Sequence, residues 1–324
     1  MSACLTPLWT SSEVTSAATA GAGMPSVVAV LEQLGGVATL AELTQATSSK
    51  QVRRALREVS VVRDRRGRYL SAATEGQLRV AHEISAVLSH ESAALHHGWQ
   101  VKTEPEQPVV TVRRKRHLSA GDLARCTPHW RDLPDGSVHR GVTTQHQTAL
   151  DCARDLPFDR ALAVVDSALR GESLSQSRLR SAAAKLRGRG AAKARRVAAE
   201  ACLLAANPME SVLRAIVLDI PGFCFTPQLR IWEHGLYATV DLGDQTLMVA
   251  IEAEGFAFHS GCREFRRDCR RYDELVAWGW TVFRFTWEQV MFEPEFVRWC
   301  LLSWLATRRG AQVSPSPAPP ARLR

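Results

Sequence analysis

The chain has 324 residues, 45% hydrophobic and 23% charged, with a formal net charge of +8 and a pI near 9.3. That is an ordinary globular composition, long enough for two or three domains that each bury a core, and it excludes a wholly disordered chain. No apolar run reaches the roughly eighteen residues of a membrane helix, and no basic, then apolar leader opens the chain; the expected compartment is the cytoplasm, with no membrane partner.

The excess positive charge favours an anionic partner, with nucleic acid first. Eight cysteines, at positions 4, 126, 152, 202, 224, 262, 269 and 300, form no C-x-x-C pair and no zinc-type spacing with histidine. They are expected to be reduced and buried rather than bridged.

Residues 1–24 are rich in Ser, Thr, Ala and Gly without periodicity, which predicts a disordered tail or an over-extended start with Met24 as the candidate initiator. Residues 25–75 then show three helices and a hairpin. Val27, Val30, Leu31 and Leu34 make one apolar stripe that Gly35-Gly36 ends. Thr39 with Glu42, and Ser48 with Gln51, have capping-box spacing for the second and third helices. On the third helix Val52, Ala55, Leu56 and Val59 are expected to face the core, leaving Lys50, Arg53, Arg54 and Arg57 on the opposite face. Val61–Arg63 and Arg68–Leu70 read as strands around a wing whose Arg65, Arg66 and Arg68 would grip phosphates or a minor groove. A basic face on a short helix is commonly just solvated. Here helix order, turn glycines and the basic wing agree, and together they predict a winged helix-turn-helix that binds double-stranded DNA.

Residues 27–170 resemble the AbiEi-type antitoxin family of type IV toxin–antitoxin systems. The resemblance rests on Gly36-Val37-Ala38-Thr39, on Arg66-Gly67-Arg68-Tyr69-Leu70, on Ser89-His90-Glu91-Ser92-Ala93-Ala94-Leu95-His96, and on the run from Thr143 to Arg154. It implies an N-terminal winged helix, a following α/β antitoxin domain, operator binding with autoregulation, and a possible cognate toxin as partner.

In residues 76–175, short apolar strands such as Pro108–Val112 mix with helices such as Gln147–Arg154 and Arg160–Leu169, and no catalytic constellation emerges. His90, His96, His97, His139 and His146 have irregular spacing and few carboxylate partners, and read as surface or capping histidines. Arg113-Arg114-Lys115-Arg116-His117 is either a nucleic-acid contact or a solvated loop. Residues 176–206 read as a basic helical connector: from Arg178 to Arg196 there are eight basic residues and no acid, a composition that suits a phosphate backbone.

Residues 207–310 carry the strongest chemical signal. Asn207, Pro208 and Glu210 suit the N-cap, N1 and N3 positions of a helix, so Glu210 either supports the helix start or approaches a site from it; both readings stand. Leu236–Leu242 reads as a strand, Gly243-Asp244 as a reversal, and Val249–Ile251 as a buried strand whose continuation puts Glu252 and Glu254 on one face. Asp241 would then lie near Glu252. Acids flanking a turn are common on solvated hairpins, but like charges closing an apolar strand repel unless compensated, and hard carboxylate oxygens suit a divalent cation with positions open for phosphate and water. A basic stripe of Arg263, Arg266, Arg267, Arg270 and Arg271 follows on a helix whose inner face is predicted as Phe265, Cys269, Tyr272 and Val276.

This segment resembles the PD-(D/E)XK nuclease superfamily, and within it the Vsr-like endonuclease branch. The matching motifs are Met209–Arg214, Val240-Asp241-Leu242, Ala250–Gly255, His259, Phe265–Arg271 and Gly279–Phe285. The resemblance implies Asp241 and Glu252 as the main ligands of Mg2+ or Mn2+, Glu254 as a third ligand or base, His259 as general acid or base, and Glu210 approaching from the first helix. Glu254 stands where the superfamily's name puts lysine, as is usual in this branch, so the lysine that would orient the attacking water is absent. Residues 311–324, with Ser-Pro and Ala-Pro repeats, read as a flexible, disordered tail.

The expected fold class is α/β, in the sense of a mixed α+β multidomain chain: an N-terminal winged helix-turn-helix, a middle α/β antitoxin-like domain and a C-terminal restriction-endonuclease-like α/β domain. The leading functional expectation is a DNA-binding protein with a Mg-dependent endonuclease-like domain, in which Arg267 or Arg271 offsets phosphate charge. The alternatives are a non-enzymatic antitoxin-like transcriptional repressor with a degenerate nuclease fold, and an antitoxin whose middle domain acts on a toxin.

Overall fold

Helix caps and short apolar stripes set the first layer of structure in the computed structural model, which describes residues 25–34, 36–63, 68–233, 235–254 and 262–318. The predicted tail 1–24, the wing residues Arg65 and Arg66, His259 and the end of the C-terminal tail lie outside the described residues. The fold is mixed α+β, and no helix of the described residues is long and apolar enough to cross a membrane.

The N-terminal unit runs α1 (Val27–Gln33), β1 (Val37–Ala38), α2 (Leu40–Ala46), α3 (Ser49–Arg57), β2 (Val61–Arg63) and β3 (Tyr69–Ser71), with strand order β1-β3-β2. Both halves of the Thr39–Glu42 capping box form. Ser48 caps α3 through Gln51 N at 3.2 Å, but the Gln51 side chain accepts the Ser48 hydroxyl at 2.9 Å. Val27, Val30, Leu31, Leu43, Val52, Ala55, Val61 and Tyr69 share one core. Val59 departs from expectation: α3 ends at Arg57, and Val59 takes a left-handed φ of 53° and is 64% exposed, because the chain reverses there to enter β2.

The middle unit contains α4 (Ala72–Glu83), β4 (Val87–Leu88), α5 (His90–His96), β5 (Val109–Val112), α6 (Ala120–Leu123), β6 (Thr127–Trp130), β7 (Val138–His139), β8 (Val142–Thr143), α7 (Gln145–Asp155), α8 (Phe158–Arg170), α9 (Gln176–Lys185) and α10 (Ala191–Glu200). Its sheet is mixed, ordered β6-β5-β4-β8-β7. The segment expected as a connector is helical but packed: Leu179, Ala183, Ala194, Val197 and Ala198 are buried in the same core as Ala149, Cys152, Leu162 and Val165 of α7 and α8. Alanine at the interior positions lets these helices approach closely, while the arginines remain outside. The N-terminal unit rests on this unit through Ser71 Oγ, which donates to Glu104 Oε2 (3.1 Å), and within the middle unit Gln77 Nε2 of α4 donates to the Pro105 carbonyl (3.0 Å).

The C-terminal unit comprises α11 (Pro208–Val217), β9 (Thr226–Glu233), β10 (Leu236–Asp244), β11 (Val249–Glu254), α12 (Cys262–Ala277), β12 (Thr281–Thr286), α13 (Trp287–Phe292) and α14 (Pro294–Arg308). The sheet order is β12-β11-β10-β9, antiparallel except for the parallel β11–β12 pair. Leu242, Val249, Ile251 and Phe285 pack with α11, α13 and α14, whereas Ala238, Val240, Ala250 and Trp280 pack with Leu275 of α12. A strand covered on both faces reads as an unbroken apolar run, as Val249–Ile251 does.

Three local expectations are corrected. The reversal after β10 falls at residues 245–248, not at Gly243-Asp244: Gly243 stays in the strand, where a Cβ would collide with the Leu229 side chain, and Asp244 stabilises the turn by accepting from Leu247 N (3.0 Å) and Cys224 N (2.7 Å). Val276 is 59% exposed and Leu275 is fully buried, since the larger γ-branched side chain sets the phase of α12. Of the free cysteines, Cys126 and Cys152 are buried but Cys224 is exposed. At the start of the predicted tail, Trp299 Nε1 donates to the Ser314 carbonyl at 2.8 Å.

α8 and α11 are joined by a buried ion pair. Arg214 donates to Asp166 Oδ2 at 2.7 Å and to the Glu200 carbonyl at 2.6 Å, while Asp166 Oδ1 accepts from Cys202 N at 2.8 Å. Removing one partner leaves a buried, uncompensated charge. Asp166→Ala is therefore expected to lower the unfolding free energy by about 3–5 kcal/mol, read from urea denaturation followed by circular dichroism.

Candidate metal centre

Strict alternation would put Val240 and Leu242 on one face of the sheet, yet Val240 packs against α12 and Leu242 against α11. The reversal falls at Asp241. Opposite it on β9 is Gln228, flanked by the pairs Val240↔Leu229 and Leu242↔Pro227, with a left-handed φ of 50°. Because Leu242 pairs with Ile251, the next step along the ladder brings Asp241 to Glu252. Asp241 Oδ2 accepts from Ala253 N at 2.8 Å, and Gln228 Nε2 donates to both Asp241 Oδ1 (3.3 Å) and Glu210 Oε2 (3.1 Å).

Glu210 serves both roles that its sequence position allowed. Its backbone N–H donates to Asn207 Oδ1 (3.0 Å), and its carboxylate accepts from Ala206 N (2.8 Å) and Asn207 Nδ2 (2.9 Å) while also reaching the Gln228 amide. Burial, with Asp241 nearby, pushes Glu210 up to about 7. Burial and the same neighbour push Glu252 up to about 8, and burial also raises Asp241. Arg271 Nη2 lies 3.4 Å from Glu252 Oε1 but is poorly aligned, so that buried oxygen has no hydrogen bond. Two neighbouring carboxylates, one with an orphaned oxygen, fit a hard divalent cation that keeps several of its ligands as water or phosphate.

Glu254 shares the face of Glu252 but is engaged elsewhere. Its Oε1 accepts from Arg284 Nε (2.7 Å) and the Tyr272 hydroxyl (2.9 Å), and the Arg284 guanidinium lies 4.3 Å from the Tyr272 ring centre. Burial alone would raise Glu254, but these donors hold it below the usual carboxylate range. As a metal ligand or base it would first have to leave Arg284. Gln228, Tyr272 and Arg284 were missed in the sequence because only strand pairing and the phase of α12 bring them here.

The basic residues divide. Lys50, Arg53, Arg54 and Arg57 are exposed on α3, where Arg54 pairs with Glu58 at 2.7 Å and Arg53 Nε donates to the Ser49 carbonyl at 3.2 Å. Arg68, expected on the DNA face, instead donates to the Gly98 carbonyl in the middle unit. Arg267 is exposed on α12, whereas Arg271 turns inward, donating to the Thr239 carbonyl (3.2 Å) and the Tyr272 hydroxyl (2.9 Å). Arg116 of the basic loop donates to the Ile84 carbonyl at 2.6 Å. Between the starts of α7 and α9 lies a cavity of about 680 Å3, lined by His146, Arg178, Lys185 and several hydroxyls and by no carboxylate.

The middle-domain histidines include one that is not a surface residue. His90 is fully buried, starts α5 with a left-handed φ of 50°, and contacts Asp155 Oδ2 through Nε2 at 3.1 Å. His129, which sequence reasoning did not single out, stacks on it with ring centres 3.8 Å apart. The partners lie on separate strands and helices, which is why residue spacing was uninformative.

No family model and no solved structure matches the chain. It is similar to two uncharacterized proteins from two strains of Mycobacterium tuberculosis, 34% identical over 161 residues, or 48% of this chain and 58% of each relative. The chain thus spans little more than half the length of the curated relatives it matches.

The carboxylate pair has a measurable cost without a cation. A carboxyl group whose folded pKa lies near 8, above its ordinary 4.5, keeps a proton that the unfolded chain releases, so its contribution to stability falls as pH rises through that window. Glu252→Gln cannot ionise. Thermal melts in chelator should find this variant more stable than the parent by about 1–2 kcal/mol at pH 8, with little difference at pH 5.

Proposed function

We propose that this chain binds double-stranded DNA through its N-terminal α3 face and hydrolyses DNA phosphodiester bonds at its C-terminal carboxylate pair, with Mg2+ or Mn2+. The observation that carries the reading is the placement of half-buried Asp241 beside buried Glu252, which has one oxygen without a hydrogen bond and the Arg271 guanidinium 3.4 Å away. It agrees with the resemblance of this segment to the Vsr-like nucleases. Held by Asp241 and Glu252, the metal would polarise the phosphate and acidify a water. Arg271, anchored by Thr239 and Tyr272, would offset charge developing on the phosphate, and exposed Arg267 on the same helix would draw the backbone toward the pair. Glu254 accepts from Arg284 and from the Tyr272 hydroxyl, the same hydroxyl to which Arg271 donates. Glu252→Ala is expected to reduce metal-dependent plasmid nicking at least about 100-fold with DNA affinity unchanged; equal nicking by variant and parent removes the proposal.

A second reading has its own observation. Glu254 bound to Arg284 and Tyr272, in a site without a lysine, suits a nuclease-like fold kept for docking in an antitoxin-like repressor. Under either reading the α3 arginines contact the duplex. The double variant Arg53→Ala/Arg57→Ala should weaken binding of a short operator-region duplex by about 10-fold or more and flatten its salt dependence, measured by fluorescence anisotropy. If the parent chain nicks no DNA at any Mg2+ or Mn2+ concentration while this variant loses binding, the repressor reading stands alone. The resemblance of residues 27–170 to AbiEi-type antitoxins adds a cognate toxin as a proposed partner.

A further inference from the structure

His90, His129 and Asp155 come from three different elements: the first residue of α5, the edge strand β6 and the last residue of α7. One ligand atom from each lies within 4.8 Å of the other two. We propose that these three side chains form a second metal centre, in the middle domain, for a divalent transition metal of the Zn2+ class.

Four features separate the arrangement from an ordinary buried His–Asp pair. First, the pair alone needs no second imidazole, yet His129 stacks on His90 and its ring nitrogens have no hydrogen-bond partner among the described residues. Second, His90 is oriented from behind. Thr111 Oγ1 donates to Ser89 Oγ at 2.9 Å, and Ser89 Oγ contacts His90 Nδ1 at 2.9 Å, which turns Nε2 toward Asp155. A hydrogen bond on the far nitrogen is the usual support of a ligating imidazole.

Third, the carboxylate is held but not used up. Arg131 donates to Asp155 Oδ2 (2.7 Å) and to Asp151 Oδ1 (2.5 Å), and both hydrogen bonds received by Asp155 fall on Oδ2. Asp155 Oδ1 therefore stays open to a ligand, while Lys193 Nζ donates to the Asp155 backbone carbonyl at 3.0 Å. Fourth, His90 carries the backbone strain of a left-handed non-glycine residue at this point of convergence.

Two imidazoles and one carboxylate suit zinc, and three protein ligands leave a fourth position for water. The Asp155 side chain keeps 19% of its surface exposed, which gives that position access to solvent. For Nε2 to ligate, the single ring proton of neutral His90 resides on Nδ1 and is donated to Ser89 Oγ, and Asp155 exchanges the imidazole N–H for the metal. The proposal does not depend on the nuclease reading, because the acidic pair offers oxygen ligands on a different unit of the chain.

The test uses the full chain carrying Asp241→Asn and Glu252→Gln, stripped with chelator and titrated with Zn2+ by calorimetry. One equivalent should bind, and His129→Ala or Asp155→Asn in that background should weaken it at least about 10-fold, with circular dichroism unchanged. Cobalt substitution should give the intense visible spectrum of a four-coordinate ion and lose it in the same variants. Where His129→Ala fails to fold, His129→Gln carries the comparison. A parent that binds no zinc, or a His129 variant that binds it as tightly as the parent, overturns the proposal. The nuclease reading is tested separately, since His129→Ala in the otherwise unaltered chain should nick DNA as the parent does.

Discussion

Asp166 has no exposed surface, yet it carries a charge, and that constraint organises the second half of the molecule. A buried carboxylate is tolerable only where donors surround it. Arg214 supplies one from α11 and the Cys202 backbone N–H another from the end of the basic segment, so α8, the run after α10 and α11 are tied at one point. Around that point Ala163 of α8 joins the C-terminal core and Ala215 of α11 joins the middle-domain core. The orientation of α11 follows, and with it the position of Glu210 over Gln228.

The carboxylate cluster illustrates the opposite use of charge. Asp166 has a donor on each oxygen, whereas Glu252 keeps an orphaned oxygen and Arg271 stands close without a hydrogen bond to it. Such an arrangement is costly in isolation and becomes favourable when a cation completes it. Glu254 shows that the cost is avoidable: two residues along the same strand, a carboxylate with two donors sits below its usual range. The difference between the two acids lies in what α12 and β12 present to them, not in the strand that carries both.

Much of the local structure was legible in the residues. The capping pairs at Thr39/Glu42 and Asn207/Glu210, the apolar stripe of α1 and the two-faced burial of Val249–Ile251 are short-range or periodic signals, and each element formed where they placed it. Misreadings came where the periodic pattern offered two solutions or the chain reversed. Val59 and Val276 extend a helical stripe on paper, but a helix end and a competing Leu275 move them to the surface. Arg68 lies among wing residues in sequence, yet a middle-domain carbonyl captures it.

By itself the sequence determined the mixed α+β class, the order of helices and strands, the basic outer face of α3 and the pairing of Asp241 with Glu252, because each depends on neighbours within a few residues or on one hairpin. Only the tertiary structure decided which acid keeps an oxygen without a hydrogen bond and which is held by two donors, that the basic segment after α8 is packed, and that His90 meets His129 and Asp155. Those outcomes depend on strand order and on the rotational phase of packed helices. They are fixed by burial of the whole core rather than by any local run of residues.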